Sequence, residues 1–81
     1  MYKRQIVNFK ISATLIEDYI ELFANESIII RVHDKTGREL KKKKIMAGTQ
    51  RIPMGELPSD VYFVVVTNDT GVSETIQILK K

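Results

Sequence analysis

An imidazole can act as a general base beside a hydroxyl nucleophile or as a metal ligand, and this 81-residue chain has one histidine, His33. His33 alternates with Arg31 in Ser27–His33, which reads as the wet face of a strand rather than the floor of a catalytic cleft. The candidate nucleophiles Ser12, Ser27, Ser59 and Ser73 each fall at a turn or strand end, where a hydroxyl commonly satisfies nearby backbone. No Gly-x-Ser-x-Gly elbow is present. Glu17 and Asp18 are adjacent, so on a strand they would point to opposite faces and could not share a substrate. Asp34, Asp60 and Asp69 fall at turns, where Asp is expected for conformational reasons, and no loop has the carboxylate density of a calcium site. With one His and no Cys, a multi-histidine or thiolate metal site, a Cys nucleophile and a disulfide framework are excluded. Gly37, Gly48, Gly55 and Gly71 are dispersed and form no phosphate-cradling loop. The pattern predicts no enzyme, no cofactor and no metal.

Binding chemistry is also sparse. Lys and Arg number 13 against 10 Asp and Glu, a formal charge of +3. Four of the 13 form the run Lys41–Lys44, and without it the balance tips to the acidic side. Nucleic-acid binding draws on phosphate contacts spread along a face, so a nucleic-acid partner is not expected. An OB-like single-strand binder would show strongly salt-dependent binding. Tyr2, Tyr19, Tyr62, Phe9, Phe23 and Phe63 sit at alternating positions that read mostly as core. The longest purely apolar run is Val61–Val66, far short of the roughly 20 residues of a membrane helix. The first residues do not read as a secretion signal, because Asn8, Lys10 and Ser12 interrupt the apolar stretch.

The elements that would position these groups are strands. Ile and Val total 18 residues against 8 for Ala and Leu, and branching at Cβ suits a pleated sheet. Seven segments read as strands: Gln5–Ile11, Glu17–Phe23, Ser27–His33, Glu39–Met46, Thr49–Pro53, Val61–Thr67 and Ser73–Leu79. Leu15, Tyr19 and Leu22 fall at helical intervals, but Ile16, Ile20 and Phe23 lie off that stripe, which favours a turn followed by a strand. Asp34-Lys35-Thr36-Gly37 and Asn68-Asp69-Thr70-Gly71 each read as a type I turn whose final glycine goes left-handed, closing an antiparallel hairpin. Ile28, Ile30 and Val32 share one face of their strand. Val61–Val66 is apolar on both faces, as in a central strand. Lys41–Lys44 puts charge on both faces, the mark of an exposed edge. Together these predict one all-β domain over residues 1–81, an immunoglobulin-like antiparallel β-sandwich of about seven strands, with a partly open OB-type barrel as the alternative.

Four pieces of the chain, in order, resemble type IX secretion system C-terminal sorting domains. Ile28–Leu40, IIIRVHDKTGREL, resembles the family's V-x-I-Y-D-x-x-G-R-x-V hairpin and includes Asp34 and Gly37. Gly48–Ile52 resembles G-x-N-x-I. Leu57-Pro58-Ser59-Asp60-Val61-Tyr62 and the valines beyond it resemble L-P-S-G-V-Y-x-V-x-V, with Asp60 standing where the family has glycine. Thr75–Lys81 resembles the terminal K-x-x-x-x-K stretch. The likeness covers about residues 17–81, and the family's opening Y-P-N-P is not found in Phe9–Leu15.

The resemblance implies a domain at the C-terminus of a longer secreted protein. It would be read by outer-membrane secretion machinery and often removed by a sortase-like peptidase, passing through the periplasm to the cell surface or beyond. Lys80, Lys81 and Ile78 are the expected recognition residues. Asp34, Gly37, Gly48, Leu57, Pro58, Asp60 and Tyr62 are expected to set the fold that presents them. The rival reading is a non-enzymatic immunoglobulin-like accessory module that binds carbohydrate or a protein partner through a sheet face or an edge strand.

Overall fold

The structure is a computed structural model that describes residues 9–13 and 15–81. Its strands are β1 (Phe9–Ile11), β2 (Leu15–Ile16), β3 (Tyr19–Ala24), β4 (Ile28–Asp34), β5 (Glu39–Ile45), β6 (Gly48–Pro53), β7 (Asp60–Asn68) and β8 (Ser73–Lys80). They form two sheets, one ordered β1-β3-β6 and the other β2-β8-β7-β4-β5. All pairings are antiparallel except β2 with β8. The chain is thus an all-β sandwich. Six of the seven expected strands recur with ends moved by no more than two residues. The start of Gln5–Ile11, with Tyr2, lies outside the described residues.

Alternation of side chains builds the core. Ile20, Leu22 and Ala24 of β3 and Ile52 of β6 face inward from the small sheet. Ile28, Ile30, Val32, Tyr62, Val64, Val66 and Ile78 face them from the large one. Most of these side chains are 0–1% exposed, and full burial of one aliphatic side chain favours folding by about 1.5–3 kcal/mol. Met54 fills the end of this layer and is anchored by its N–H donating to the Asp18 carbonyl at 2.8 Å. The same bond corrects the expectation for Glu17 and Asp18. They do not open a strand but form the bend that carries the chain from β2 in one sheet to β3 in the other.

The periodicity of β3 also corrects the placing of two aromatics. Because Ile20, Leu22 and Ala24 turn inward, Tyr19 and Phe23 turn outward and are exposed, with the Arg51 guanidinium 4.7 Å from the Tyr19 ring centre. Phe9 and Phe63 are half-buried, and Tyr62 is core.

The two hairpin turns are copies of one another. In the first, Asp34 Oδ1 accepts from the Thr36 and Arg38 backbone N–H groups and from the Thr36 hydroxyl, and the Gly37 N–H donates to Asp34 O. In the second, Asn68 Oδ1 accepts from the Thr70 and Val72 N–H groups and the Thr70 hydroxyl, and the Gly71 N–H donates to Asn68 O. Gly37 and Gly71 have φ of 90° and 87°, the left-handed region in which a Cβ would be strained. Lys41–Lys44 lies in β5, the outer strand of the large sheet, as the charge on both its faces predicts. Between Val32 and His33 the β4–β5 register shifts, leaving Leu40 as an extra residue that twists this edge.

Candidate functional site

One end of the sandwich gathers most of the residues singled out in the sequence. β4 finishes there at Asp34, β7 begins at Asp60 and β8 finishes at Lys80. A cleft of about 200 Å³ is lined by Asp34, Leu40, Leu57, Pro58, Asp60 and Tyr62, among others. Gly37 closes the adjoining turn. Gly48 stands apart, since it pairs with Ala24 at the opposite end of the small sheet.

The polar groups of this cleft are engaged with the chain itself. The buried Tyr62 hydroxyl donates to Pro58 O at 2.7 Å, tying the start of β7 to the loop before it, as the tyrosine corner of immunoglobulin-like sandwiches does. Burial, and then the nearby Asp60 and Asp34 carboxylates, raise the Tyr62 phenol above its ordinary value. Asp60 accepts from the Val61 N–H at 2.7 Å and meets Lys35 Nζ at 3.2 Å. The Val61 N–H and then Lys35 hold its carboxyl below the usual range. Asp34 is lowered by the Thr36 hydroxyl and then by the Arg38 N–H, while its other oxygen meets Arg38 Nε at 3.3 Å. Lys41 pairs with Glu56, which it holds below the usual carboxylate range. The Lys35–Asp60 pair clasps the β4–β5 hairpin to the start of β7, and the Lys41–Glu56 pair clasps it to the loop between β6 and β7.

The C-terminal strand lies beside this cleft. Asp60 and Lys80 are opposite one another across the β7–β8 ladder, and Ile16 is opposite Lys80 on the far side. Ile78 is a core residue, 1% exposed. Lys80 also turns inward and is 8% exposed, with Nζ donating to the Lys81 carbonyl at 2.8 Å. Lys81 is exposed. Its N–H donates to Ile16 O at 2.8 Å, and its Nζ lies 3.9 Å from Glu17 Oε1. Of the three expected recognition residues, Lys81 alone presents its side chain to solvent.

Sequence reasoning missed β2. A two-residue strand has no periodicity to read, and its parallel pairing with β8 joins residues far apart in the chain. It also missed the Tyr62–Pro58 bond, for which the four-residue spacing in Pro-Ser-Asp-Val-Tyr was an available signal.

His33 meets Glu39, with Nε2 3.8 Å from Oε1, and Arg31 Nε lies 3.4 Å from the same oxygen. This cluster is on the outer face of the large sheet. Among the described residues no group of three or more His, Cys, Asp or Glu side chains is arranged to hold a metal ion, and no helix is long and apolar enough to cross a membrane.

The model of the family described as "Secretion system C-terminal sorting domain" matches residues 7–81. The match begins earlier than the visible resemblance and takes in β1 and β2. No curated protein matches the chain.

Proposed function

This chain belongs to the secretion system C-terminal sorting domain family, and from that premise we propose how its sorting signal is displayed and read. The family's domain is the C-terminal sorting signal of type IX secretion cargo. It implies interaction with the secretion machinery and export to the cell surface or the extracellular space. Domains of this family are sorting signals rather than catalysts.

The chain itself, in our reading, catalyses nothing. Residues 1–81 form one domain closing a longer secreted protein. It folds in the periplasm, is read there by the outer-membrane machinery, and is a substrate for a sortase-like peptidase. Recognition centres on the end of the sandwich where β8 finishes. Lys81 is the residue read directly, and Lys80 and Ile78 act by seating the last strand. Asp34, Gly37, Leu57, Pro58, Asp60 and Tyr62 shape that end, while Gly48 turns the chain at the other.

The observation that carries this reading is the convergence of two separated motif pieces, Ile28–Leu40 and Leu57–Tyr62, on the end where the last piece, Thr75–Lys81, terminates. The test fuses residues 1–81 to a periplasmic reporter in a host with type IX secretion. Export is expected with the intact fusion and loss of export on deleting Ile78–Lys81. Retention of the intact fusion, or no effect of the deletion, refutes it.

A further inference from the structure

The two sides of the large sheet, β5 on one and β8 with the two-residue β2 beside it on the other, are protected very differently. β5 carries Lys41–Lys44, and lysines on an edge discourage pairing with another strand. β8 has no lysine between Ser73 and Leu79. Among the described residues, β2 pairs with β8 only at Leu79 and Lys80.

The direction of the free backbone groups follows from one bond. The Lys81 N–H donates across this edge to Ile16 O at 2.8 Å. Backbone groups alternate sides along a strand, so Ser73, Thr75 and Gln77 turn their N–H and C=O groups to the same edge as Lys81. Glu74, Ile76 and Ile78 turn theirs to β7. On the edge side no described strand pairs with Ser73, Thr75 or Gln77. Among the described residues the slot is therefore a strand site filled at one end by this chain's own β2, with no strand set beside Ser73–Gln77.

We propose that the edge Ser73–Gln77 of β8 is where an extended segment of the secretion machinery docks by adding a strand, in line with β2. The proposal rests on the sorting-signal reading above and names the mode of contact. The face composition describes the segment. Beside half-buried Ile76, which faces the sandwich interior, it presents an apolar side chain. Beside Thr75 and Gln77, exposed on the outer face, it presents polar ones. Backbone bonds supply the affinity and these alternating positions the selectivity. A second copy of the chain fits less well. The two-fold register that pairs Thr75 with itself sets the copy's Leu79 opposite Gly71, so the copy's β2 runs into the Asn68–Val72 turn. A single strand meets no such obstacle.

Proline separates edge from ladder, because it removes one N–H. Thr75→Pro and Gln77→Pro delete groups that face the open edge and leave the β7 ladder intact. Each is fused, within residues 1–81, to the periplasmic reporter in a host with type IX secretion, and the purified domains are melted in parallel. The expected result is an intact fusion that is exported, and proline variants whose export falls at least tenfold with Tm within about 3 °C of the parent. The Thr75→Lys/Gln77→Lys double variant leaves the backbone untouched and is expected to lose export similarly, which keeps the test decisive if proline lowers Tm. Export of the double variant at the parental level overturns the edge inference while leaving the sorting reading standing. Retention of the intact fusion sinks the sorting reading itself. Sedimentation of the purified parent as a dimer that the variants dissociate also overturns the inference, by giving the edge to a second copy.

Discussion

Tyr62→Phe isolates one bond at the end of the sandwich where the family's motifs meet. The ring is 3% exposed, and phenylalanine would fill the same space, so the packing around it is kept. What is lost is the hydroxyl's 2.7 Å bond to Pro58 O. Such a bond contributes roughly 0.5–1.5 kcal/mol net. Pro58 is exposed, so its freed carbonyl can turn to water, and the larger penalty of a buried orphan does not apply. A loss of about 1 kcal/mol lowers Tm by about 4–8 °C in a domain of this size. Thermal denaturation followed by circular dichroism measures it, with Tyr62→Ala as the reference at roughly 3–5 kcal/mol. The variant also has an alkaline signature. The phenol's folded value lies above its unfolded one. Its contribution is therefore fully present below about pH 10, the ordinary tyrosine value, and is lost as pH rises through the folded value. The stability difference between parent and Tyr62→Phe must shrink over that window. A Tm within 1 °C of the parent, or a difference that does not change with alkaline pH, refutes the corner as a fastening.

Gly37→Val forces a β-branched residue to φ near 90° and is expected to cost about 1–2 kcal/mol, read as a fall in Tm, while Gly37→Asn loses less. Asp34→Asn keeps the acceptor that Asn68 supplies in the twin turn, so its Tm should stay close to the parent's, whereas Asp34→Ala loses three hydrogen bonds and should melt clearly earlier. Asp34 and Asp60 are both held below their ordinary value. Their contribution is present above about pH 4 and is lost as pH falls through the folded values, so acid titration of Asp34→Asn should show a shallower loss of stability than the parent. Replacing Lys42, Lys43 and Lys44 together by Thr leaves Lys41, paired with Glu56, as the last lysine of the β5 edge; concentration-dependent oligomers by light scattering are expected, and a monomer at every concentration contradicts the guarding role.

The strands and turns were legible because their signals are local. Period-two alternation marks Ile28, Ile30 and Val32 as inward residues, and Asp or Asn three residues before Gly specifies each hairpin turn. Both depend on neighbours a few residues apart. The switch of the chain between sheets at Leu15–Tyr19 was not legible, because it is fixed by the Met54 N–H bond to Asp18 O and by β2 lying on β8. Alternation also says that a side chain has two faces to choose from without saying which is covered. That is why Tyr19 and Phe23 read as core although Ile20 and Leu22 take the inward side. For the functional end, the motif pieces could be seen in order, but their meeting is a property of the β4–β7–β8 ladders and of the Lys35–Asp60 and Lys41–Glu56 pairs, which join residues 15 or more positions apart.

That meeting bears on what the sorting motif encodes. Asp34 closes a turn, Asp60 caps the start of β7, Tyr62 fastens a corner, Gly37 supplies a left-handed backbone, and Ile78 and Lys80 face inward. Each of these side chains is engaged with its own chain, so a partner approaching this end meets few of them directly. A pattern of this kind specifies a shape, and the shape it secures is a last strand held at its tip by β2 with its remaining edge unpaired among the described residues. Recognition through backbone groups needs the strand's position and little of its sequence. On this reasoning, uncharged β-forming substitutions at Thr75 and Gln77 should be tolerated in export, whereas the loss of a single edge-facing N–H, or lysines that discourage strand pairing there, should not. A contact made by side chains would show the opposite order.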